Sequence, residues 1–358
     1  MAKYANALVI YDGSVSAKRR IRLRGRHGVL LVLAAAWLAG GAARAARVAG
    51  DAPHAGPHEL ASGRLYVPFG AGGEADGSAR NLQRSAARAA QGPALDVLYL
   101  TAESGAAASR AVKDAAPDGR TLLLARVGNV AIMPALSPRT AVPFSDFTVL
   151  AVLDQAPLVC AVRSGSSIGS MRELLAAIAA APGRLRYSTA GPGTLQSLAV
   201  RYLLALSGLP DTAARPVHLG QGTLASQALL DGEVDFSCNN ARSVIPLVQT
   251  GALRALMTTA QGRLKALPQL QNAAELGLRD MQQLQGWSAL LGPAGMPPEA
   301  VARWRVILAQ VAADPQWQAG TEALGALPRI REIQDPALYL RQQAGFYQRL
   351  VTMLGAKP

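Results

Sequence analysis

Three glycines, Gly70, Gly72 and Gly73, sit where the apolar run "RLYVPF" gives way to a helical pattern running from Gly77 to Gln91. A strand that turns through glycine into a helix gathers unpaired backbone N–H groups at the positive end of the helix dipole, a place to hold an anion. That anion is not a nucleotide phosphate. A P-loop needs Lys followed by Ser or Thr after its glycines, and here Glu74, Ala75 and Asp76 follow. The dinucleotide fingerprint is met only in its loosest form, Gly70-x-Gly72-x-x-Ala75. Asp76 reads chiefly as a helix cap. The stretch "STAGPGTLQS", Ser188 to Ser197, repeats the layout and adds the hydroxyls of Thr189 and Thr194. Two such cups at the carboxyl ends of two strands face one another across a cleft, and a ligand with a carboxylate at one or both ends suits that arrangement.

Chemistry beyond binding finds little support. Past residue 45 the histidines are His54, His58 and His218, and neither H-E-x-x-H nor S-x-x-K occurs. Asp231, Glu233 and Asp235 read as surface turn residues. An exported hydrolase using a cleft hydroxyl is the catalytic alternative. Cys160 and Cys238 lie late in apolar strand-like runs; they either pair with each other or serve as small buried apolar side chains. With neither C-x-x-C nor a Cys/His cluster, no metal and no cofactor is expected. The basic excess, 36 Lys and Arg against 23 Asp and Glu, sits largely in residues 1–45, which hold eight of the former and one of the latter. What remains is scattered rather than striped, so no nucleic-acid partner is expected.

The front of the chain accounts for that charge. "KRRIRLRGRHG", the apolar run Val29–Gly40 and the small-x-small "ARA" ending at Ala45 read as an export signal over 1–45, followed by a loose linker over 46–62. Beyond it, short apolar runs alternate with amphipathic segments, the rhythm of an α/β fold with a largely parallel sheet. "SMRE" at Ser170–Glu173 is a capping box, and Asp314-Pro315 and Asp335-Pro336 each place a capping acid before a proline that opens a helix. The runs near Leu150–Val162 and Trp287–Leu291 are the natural places to cross between domains.

In order along the chain, "YVPFGAGGEADGSAR", "AAPDGRTLLLA", "YSTAGPGTLQSLA", "LLDGEVDFS", "GALRALMTT" and "GWSALLGPAGMPPEAVARW" resemble the Bug-type receptors of tripartite tricarboxylate transporters, from about Arg64 to the C-terminus. The resemblance implies a two-lobed periplasmic-binding-protein clamshell, type II-like, with two crossing strands; here one lobe is 63–160 with 288–358 and the other 161–287. It implies a small carboxylate held between the lobes by main-chain amides, hydroxyls and bridging waters. It further implies no catalysis, a periplasmic location, a monomer, and transient partnership with membrane transporter subunits or, alternatively, with a sensor protein. Carried over, the first-lobe loop is Phe69, Gly70, Ala71, Gly72, Gly73 and Asp76, edged by Gly128 and Asn129. The second-lobe cup is Thr189, Ala190, Gly191, Gly193 and Thr194, and "NNARS" brings Asn239 and Asn240 to the cleft.

The chain departs from the family pattern at the ligand-facing loops. Ala71 replaces a usual proline, "YLTAESG" stands for N-R-P-G-A-G-G, and "HLGQGT" for P-Y-K-G-G-G. Asn239 stands where Asp is frequent, and Gln196-Ser197 where Ser-His is common. These changes leave the fold intact and shift the charge and hydrogen-bond pattern offered to a ligand.

Overall fold

The structure, a computed structural model, describes residues 62–220 and 222–356. The expected export signal, and the linker up to residue 61, lie outside the described residues. The chain opens with two βα connections: β1 (Ser62–Val67), α1 (Glu74–Arg88), β2 (Ala94–Tyr99), α2 (Ala106–Lys113) and β3 (Thr121–Arg126). β1 pairs in parallel with both β2 and β3, as right-handed crossover connections through helices require. α1 begins three residues before the glycine-to-helix pattern suggested, because Gly73 already holds the N-cap place. A wide turn, Gly128–Ile132, leads into the short α3 (Met133–Leu136).

The two apolar runs that follow, "FTVLAVL" and "PLVCAVR", form one strand, β4 (Phe147–Arg163). Next come α4 (Met171–Ala180), β5 (Arg186–Thr189), α5 (Leu195–Leu206), β6 (Arg215–His218), α6 (Gly222–Asp231), β7 (Phe236–Asn240), α7 (Ala241–Gln249), β8 (Leu253–Thr258) and β9 (Gln285–Pro293). α8 (Pro298–Ala313), α9 (Pro315–Ala323), the two-residue β10 (Leu327–Pro328) and α10 (Pro336–Met353) complete the chain. The capping signals act as read. Ser170 Oγ accepts from the Glu173 amide while Glu173 Oε2 accepts from the Gly169 amide. Asp314 and Asp335 accept from the amides of Gln316 and Leu338, each beside a proline in the first helical turn.

The strand order is β2-β1-β3-β9-β4-β7-β5-β6, with β8 and β10 both pairing β4. β9 lies between β3 and β4 and runs antiparallel to both. β4 therefore belongs to two sub-sheets. Its first part pairs β9, while Leu158–Val162 pairs β7 and Val159–Arg163 pairs β8. Beyond β7 the pairing is parallel again, through β5 to β6. The core follows this division: Leu65, Val67, Leu122 and Leu124 pack with Leu82 of α1 and Trp304 of α8. Val159, Ala161, Leu229 and Val244 pack under α6 and α7. A larger cluster joins Leu123, Leu158, Phe236 and Leu203 to Tyr347 of α10.

Of the two readings of the cysteines, the structure shows the pair: Cys160 on β4 and Cys238 on β7 are opposite one another and disulfide-bonded. They are 78 residues apart in sequence, a loop whose closure entropy in the unfolded chain corresponds to about 4 kcal/mol in the chain-entropy model. A Cys160→Ala, Cys238→Ala double variant should lose up to about that amount. The loss would be read as a lower urea midpoint with a steeper m-value, because the uncrosslinked unfolded chain exposes more surface, and reducing the wild-type protein should bring it to meet the variant.

Candidate functional site

The first cup is the loop between β1 and α1. Phe69, Gly70, Ala71, Gly72 and Gly73 are all exposed. Gly72 takes φ +82°, a conformation that excludes a side chain at little cost only for glycine. Its amide donates to Asp76 Oδ2 at 2.8 Å, and Asp76 Oδ1 accepts from Arg80 Nε at 2.8 Å and from the Tyr99 hydroxyl. Asp76 is thus not the cap read from the sequence. It fastens the glycine loop from within the first helical turn, and no side chain caps α1 at Gly73. Burial pushes the Asp76 carboxyl up, but the Tyr99 hydroxyl, the Gly72 amide and Arg80 together outweigh it and hold the group below the usual carboxylate range. Tyr99, in the loop that departs most from the family pattern, is therefore a supporting member of the cup.

Gly128 lies beside Phe69, whose ring Cζ would be 3.6 Å from a Cβ at that glycine. Asn129 is only 2% exposed; its Oδ1 accepts from the Arg126 amide at 2.7 Å and its Nδ2 donates to Ser109 Oγ at 3.0 Å. This side chain ties the wide turn to α2, and both its polar ends are engaged.

The second cup joins β5 to α5. Thr194 is the N-cap of α5: its hydroxyl accepts from the Ser197 amide at 3.4 Å and donates to the Gly191 carbonyl at 2.8 Å. Thr189 Oγ1 accepts from the Gly191 amide at 3.0 Å and shares a 2.8 Å hydrogen bond with His218 Nδ1 on β6. Ala190 and Gly191 form the half-buried turn between them. Gly193 lies against the end of α3: a side chain there would come within 2.7 Å of Leu136 Cδ1, which would have to move. That contact sets the end of α3 against the second cup.

Asn239 and Asn240 end β7 and differ sharply in role. Asn239 is fully buried; its Oδ1 accepts from Gln196 Nε2 at 3.2 Å and its Nδ2 donates to the Gly222 carbonyl and Ser226 Oγ. Two of the family departures, Gln196 and Asn239, are hydrogen-bonded to each other, a neutral amide pair. Asn240 reaches the other way: its Nδ2 donates to Glu74 Oε2 at 2.7 Å, joining the second sub-sheet to the first turn of α1.

Glu74 opens a buried network that sequence reasoning missed. Its Oε2 also accepts from Arg126 Nη2 at 3.2 Å. Arg126 Nη1 donates to Ser288 Oγ at 2.7 Å, and Ser288 Oγ donates to Asp154 Oδ1 at 3.0 Å. Ser78 donates to the other Asp154 oxygen at 3.3 Å. Asp154 is 3% exposed, and burial raises its carboxyl above the usual range, an effect that Arg126, Ser288 and Ser78 only partly offset. The available signal was the register: an Arg at the end of β3, a Ser on β9 and an Asp on β4 fall opposite one another.

Two cavities lie away from the cups. One, of about 1200 Å³, lies beside β8 and the start of α4, lined by Arg254, Leu256 and Leu267. The other, of about 720 Å³, lies between α10 and residues 279–285. Among the described residues, no three His, Cys, Asp or Glu side chains come together as metal ligands.

The sequence profile of the "tripartite tricarboxylate transporter family receptor" matches residues 97–355. The chain belongs to that family. A UPF0065 protein from the TAR-I ttuE-ttuC' intergenic region of Agrobacterium vitis is 26% identical over 291 residues, covering 81% of this chain and 82% of its own length. Among solved structures, MatC of Rhodopseudomonas palustris with bound malate is 25% identical and superposes with a TM-score of 0.69, over 81% of this chain and 98% of its own. The periplasmic binding protein BugD, 24% identical, superposes with a TM-score of 0.70 over 83% of this chain and 98% of its own. The α/β fold is thus that of the periplasmic binding proteins of this family, a family of solute-binding receptors.

The two carboxyls give opposite pH signatures. Asp154 titrates above its unfolded value of about 4, so its ionisation subtracts stability as pH rises upward from there. Asp154→Asn should flatten that loss, its melting temperature gaining on wild type as pH increases from about 4 towards 7. Asp76 titrates below its unfolded value, so its contribution is present above about pH 4 and disappears on acidification. Asp76→Ala should cost about 2 kcal/mol at pH 7 by chemical denaturation and little at low pH, since it frees the Gly72 amide and the Tyr99 hydroxyl.

Proposed function

We propose that this receptor captures a small organic carboxylate between two lobes, 63–160 with 288–358 and 161–287, and delivers it to the membrane subunits of a tripartite tricarboxylate-type transporter. The observation that supports the reading is the pair of helix-start turns, Gly70–Gly73 before α1 and Gly191–Thr194 before α5, with Glu74 next to the first turn bonded to Asn240 of the second sub-sheet. Each turn offers amides at a positive helix end. Malate in the related MatC structure is a ligand of the chemistry such a site suits. The chain works as an exported monomer in the periplasm, its signal removed near Ala45, and carries out no reaction on what it holds.

The mechanism is closure. A ligand that touches both cups contacts both lobes only when they are together, so its binding free energy shifts the open–closed equilibrium towards the closed form. The ligand-facing residues of this proposal are Phe69, Gly70, Ala71, Gly72 and Gly73, with Gly128 beside them, and Thr189, Ala190, Gly191, Gly193, Thr194 and Asn240 opposite. Asp76, Asn129 and Asn239 hold the cups in shape from behind.

A thermal-shift screen of about a hundred mono-, di- and tricarboxylates and amides should find compounds that raise the melting temperature, because a ligand that binds only the folded state stabilises it by mass action. A screen in which no carboxylate shifts the melt would count against the reading. Thr194→Val should weaken carboxylate binding in calorimetry and cost about 1 kcal/mol of stability through the lost cap. Unchanged affinity alongside lowered stability would mean the second cup is structural only.

A further inference from the structure

The cavity of about 720 Å³ between α10 and residues 279–285 shares no residue with the cups and is lined by polar side chains. Its wall holds three arginines, Arg279, Arg341 and Arg349, against one acid, Asp280. All three arginines are exposed, and among the described residues none of their guanidiniums is ion-paired. Arg341, Gly345 and Arg349 follow one another at intervals of one turn, so they form a stripe along one face of α10. Glycine is disfavoured inside a helix. At 345 it leaves space that the next guanidinium uses, since a Cβ there would lie 3.4 Å from Arg349 Nη1. Two uncharged donors line the same cavity. The Tyr339 hydroxyl accepts from Gln155 Nε2 at 2.8 Å, and its own proton has no acceptor among the described residues. Burial pushes that phenol up to about 12, so it stays protonated at neutral pH. Gln343 is oriented by the Trp287 indole, which can only donate. Its Oε1 accepts from Trp287 Nε1 at 3.1 Å, and its NH2 group is left without a protein acceptor among the described residues. Gln282 and Gln285 turn their NH2 groups to backbone carbonyls, so the acceptors they leave are amide oxygens rather than charges.

We propose that this cavity is a second binding site, for a small anion that carries two or more negative charges. Its volume is that of a small-molecule site, and guanidiniums suit the oxygens of carboxylate and phosphate alike. Arg341 and Arg349 reach the anion from α10 and Arg279 from the opposite wall. Tyr339 and Gln343, half-buried where the arginines are exposed, set the inner end of the site. The division of labour follows from exposure. Exposed charge attracts a polyanion at a distance and is screened by salt, whereas the two oriented uncharged donors reward only an acceptor that fits between them. Because the site is built from residues outside the cups, it stands or falls separately from the carboxylate-receptor reading.

The test titrates the full chain in calorimetry at low ionic strength with inorganic phosphate, pyrophosphate, citrate and acetate, and with a hexaglutamate peptide. Melting curves verify that each variant folds. Pyrophosphate or citrate should bind more tightly than acetate; citrate alone would mark a polycarboxylate site, and phosphate or pyrophosphate alone a phosphate site. Arg341→Gln and Arg349→Gln should each weaken that binding about tenfold, as loss of a charge-assisted hydrogen bond does. Tyr339→Phe, which keeps the ring and the net charge, should weaken it about fivefold. Thr194→Val should leave it unchanged, which separates this site from any binding at the second cup. A loss confined to the arginine variants, with Tyr339→Phe binding as wild type does, is diffuse attraction to a basic surface and overturns the proposal. Binding of hexaglutamate but of no small anion also overturns it, making the cavity a face for an acidic protein segment. Anion binding that Thr194→Val abolishes and the arginine variants do not change overturns it too, since the anion is then in the cup.

Discussion

Pairing β4 with β9 places an aspartate in the interior of the sheet, and much of the site is a response to that burial. Asp154 lies opposite Ser288, with Arg126 of β3 on the far side of the same strand and Ser78 of α1 above it. A carboxyl taken out of water needs hydrogen bonds and a nearby positive charge. Arg126 supplies the charge, 3.9 Å away, but then has donors of its own to satisfy. One goes to Ser288 and another to Glu74, whose carboxylate in turn engages Asn240. A demand that starts in the core therefore ends as a contact between the two sub-sheets. The first helix is fixed in position by what lies under it, and the glycine loop is fixed by the helix.

The second cup is built on a different principle. Its supports are largely uncharged groups: the hydroxyls of Thr189 and Thr194 and the amide pair Gln196–Asn239. Neutral partners avoid the desolvation cost of buried ions and leave the field in the second cup to the backbone. Charge in the seam is concentrated at the start of α1 and the end of β3, on Glu74 and Arg126, with Arg242 of α7 packed against Gly77.

Much of the fold was legible because local signals and global packing agree. The proline-opened helices at Pro315 and Pro336 and the Ser170 cap were readable from residue type alone, since each solves a problem confined to one turn. β4 was harder. Asp154 and Pro157 interrupt its apolar pattern and look like a break, yet the strand continues because Asp154 finds partners on three other elements. Within the site, the positions of the cups were readable and the tasks of individual side chains were not. Asp76, Asn129 and Asn239 all look like ligand contacts by position, but turn inward to satisfy backbone groups and neighbours. Alongside near neighbours, each has a partner on another element, Tyr99 for Asp76, Ser109 for Asn129 and Gln196 for Asn239, which no short motif contains. Glu74 shows the converse: as a helix-start acid it invites no notice, and it is Asn240, 166 residues away, that gives it meaning.

The place of β9 in the sheet has a consequence for how the chain must fold. It fills the slot between β3 and β4, yet it is made more than a hundred residues after either. Until Gln285–Pro293 exist, β3 and β4 present open hydrogen-bonding edges, and the apolar faces of Leu123, Ala125 and Val152 have no cover from that side. Such non-local closure is slow, and unpaired edges are prone to wrong pairing while they wait. A chain cut short anywhere before Gln285 would not be a smaller receptor but a sheet with its central strand missing.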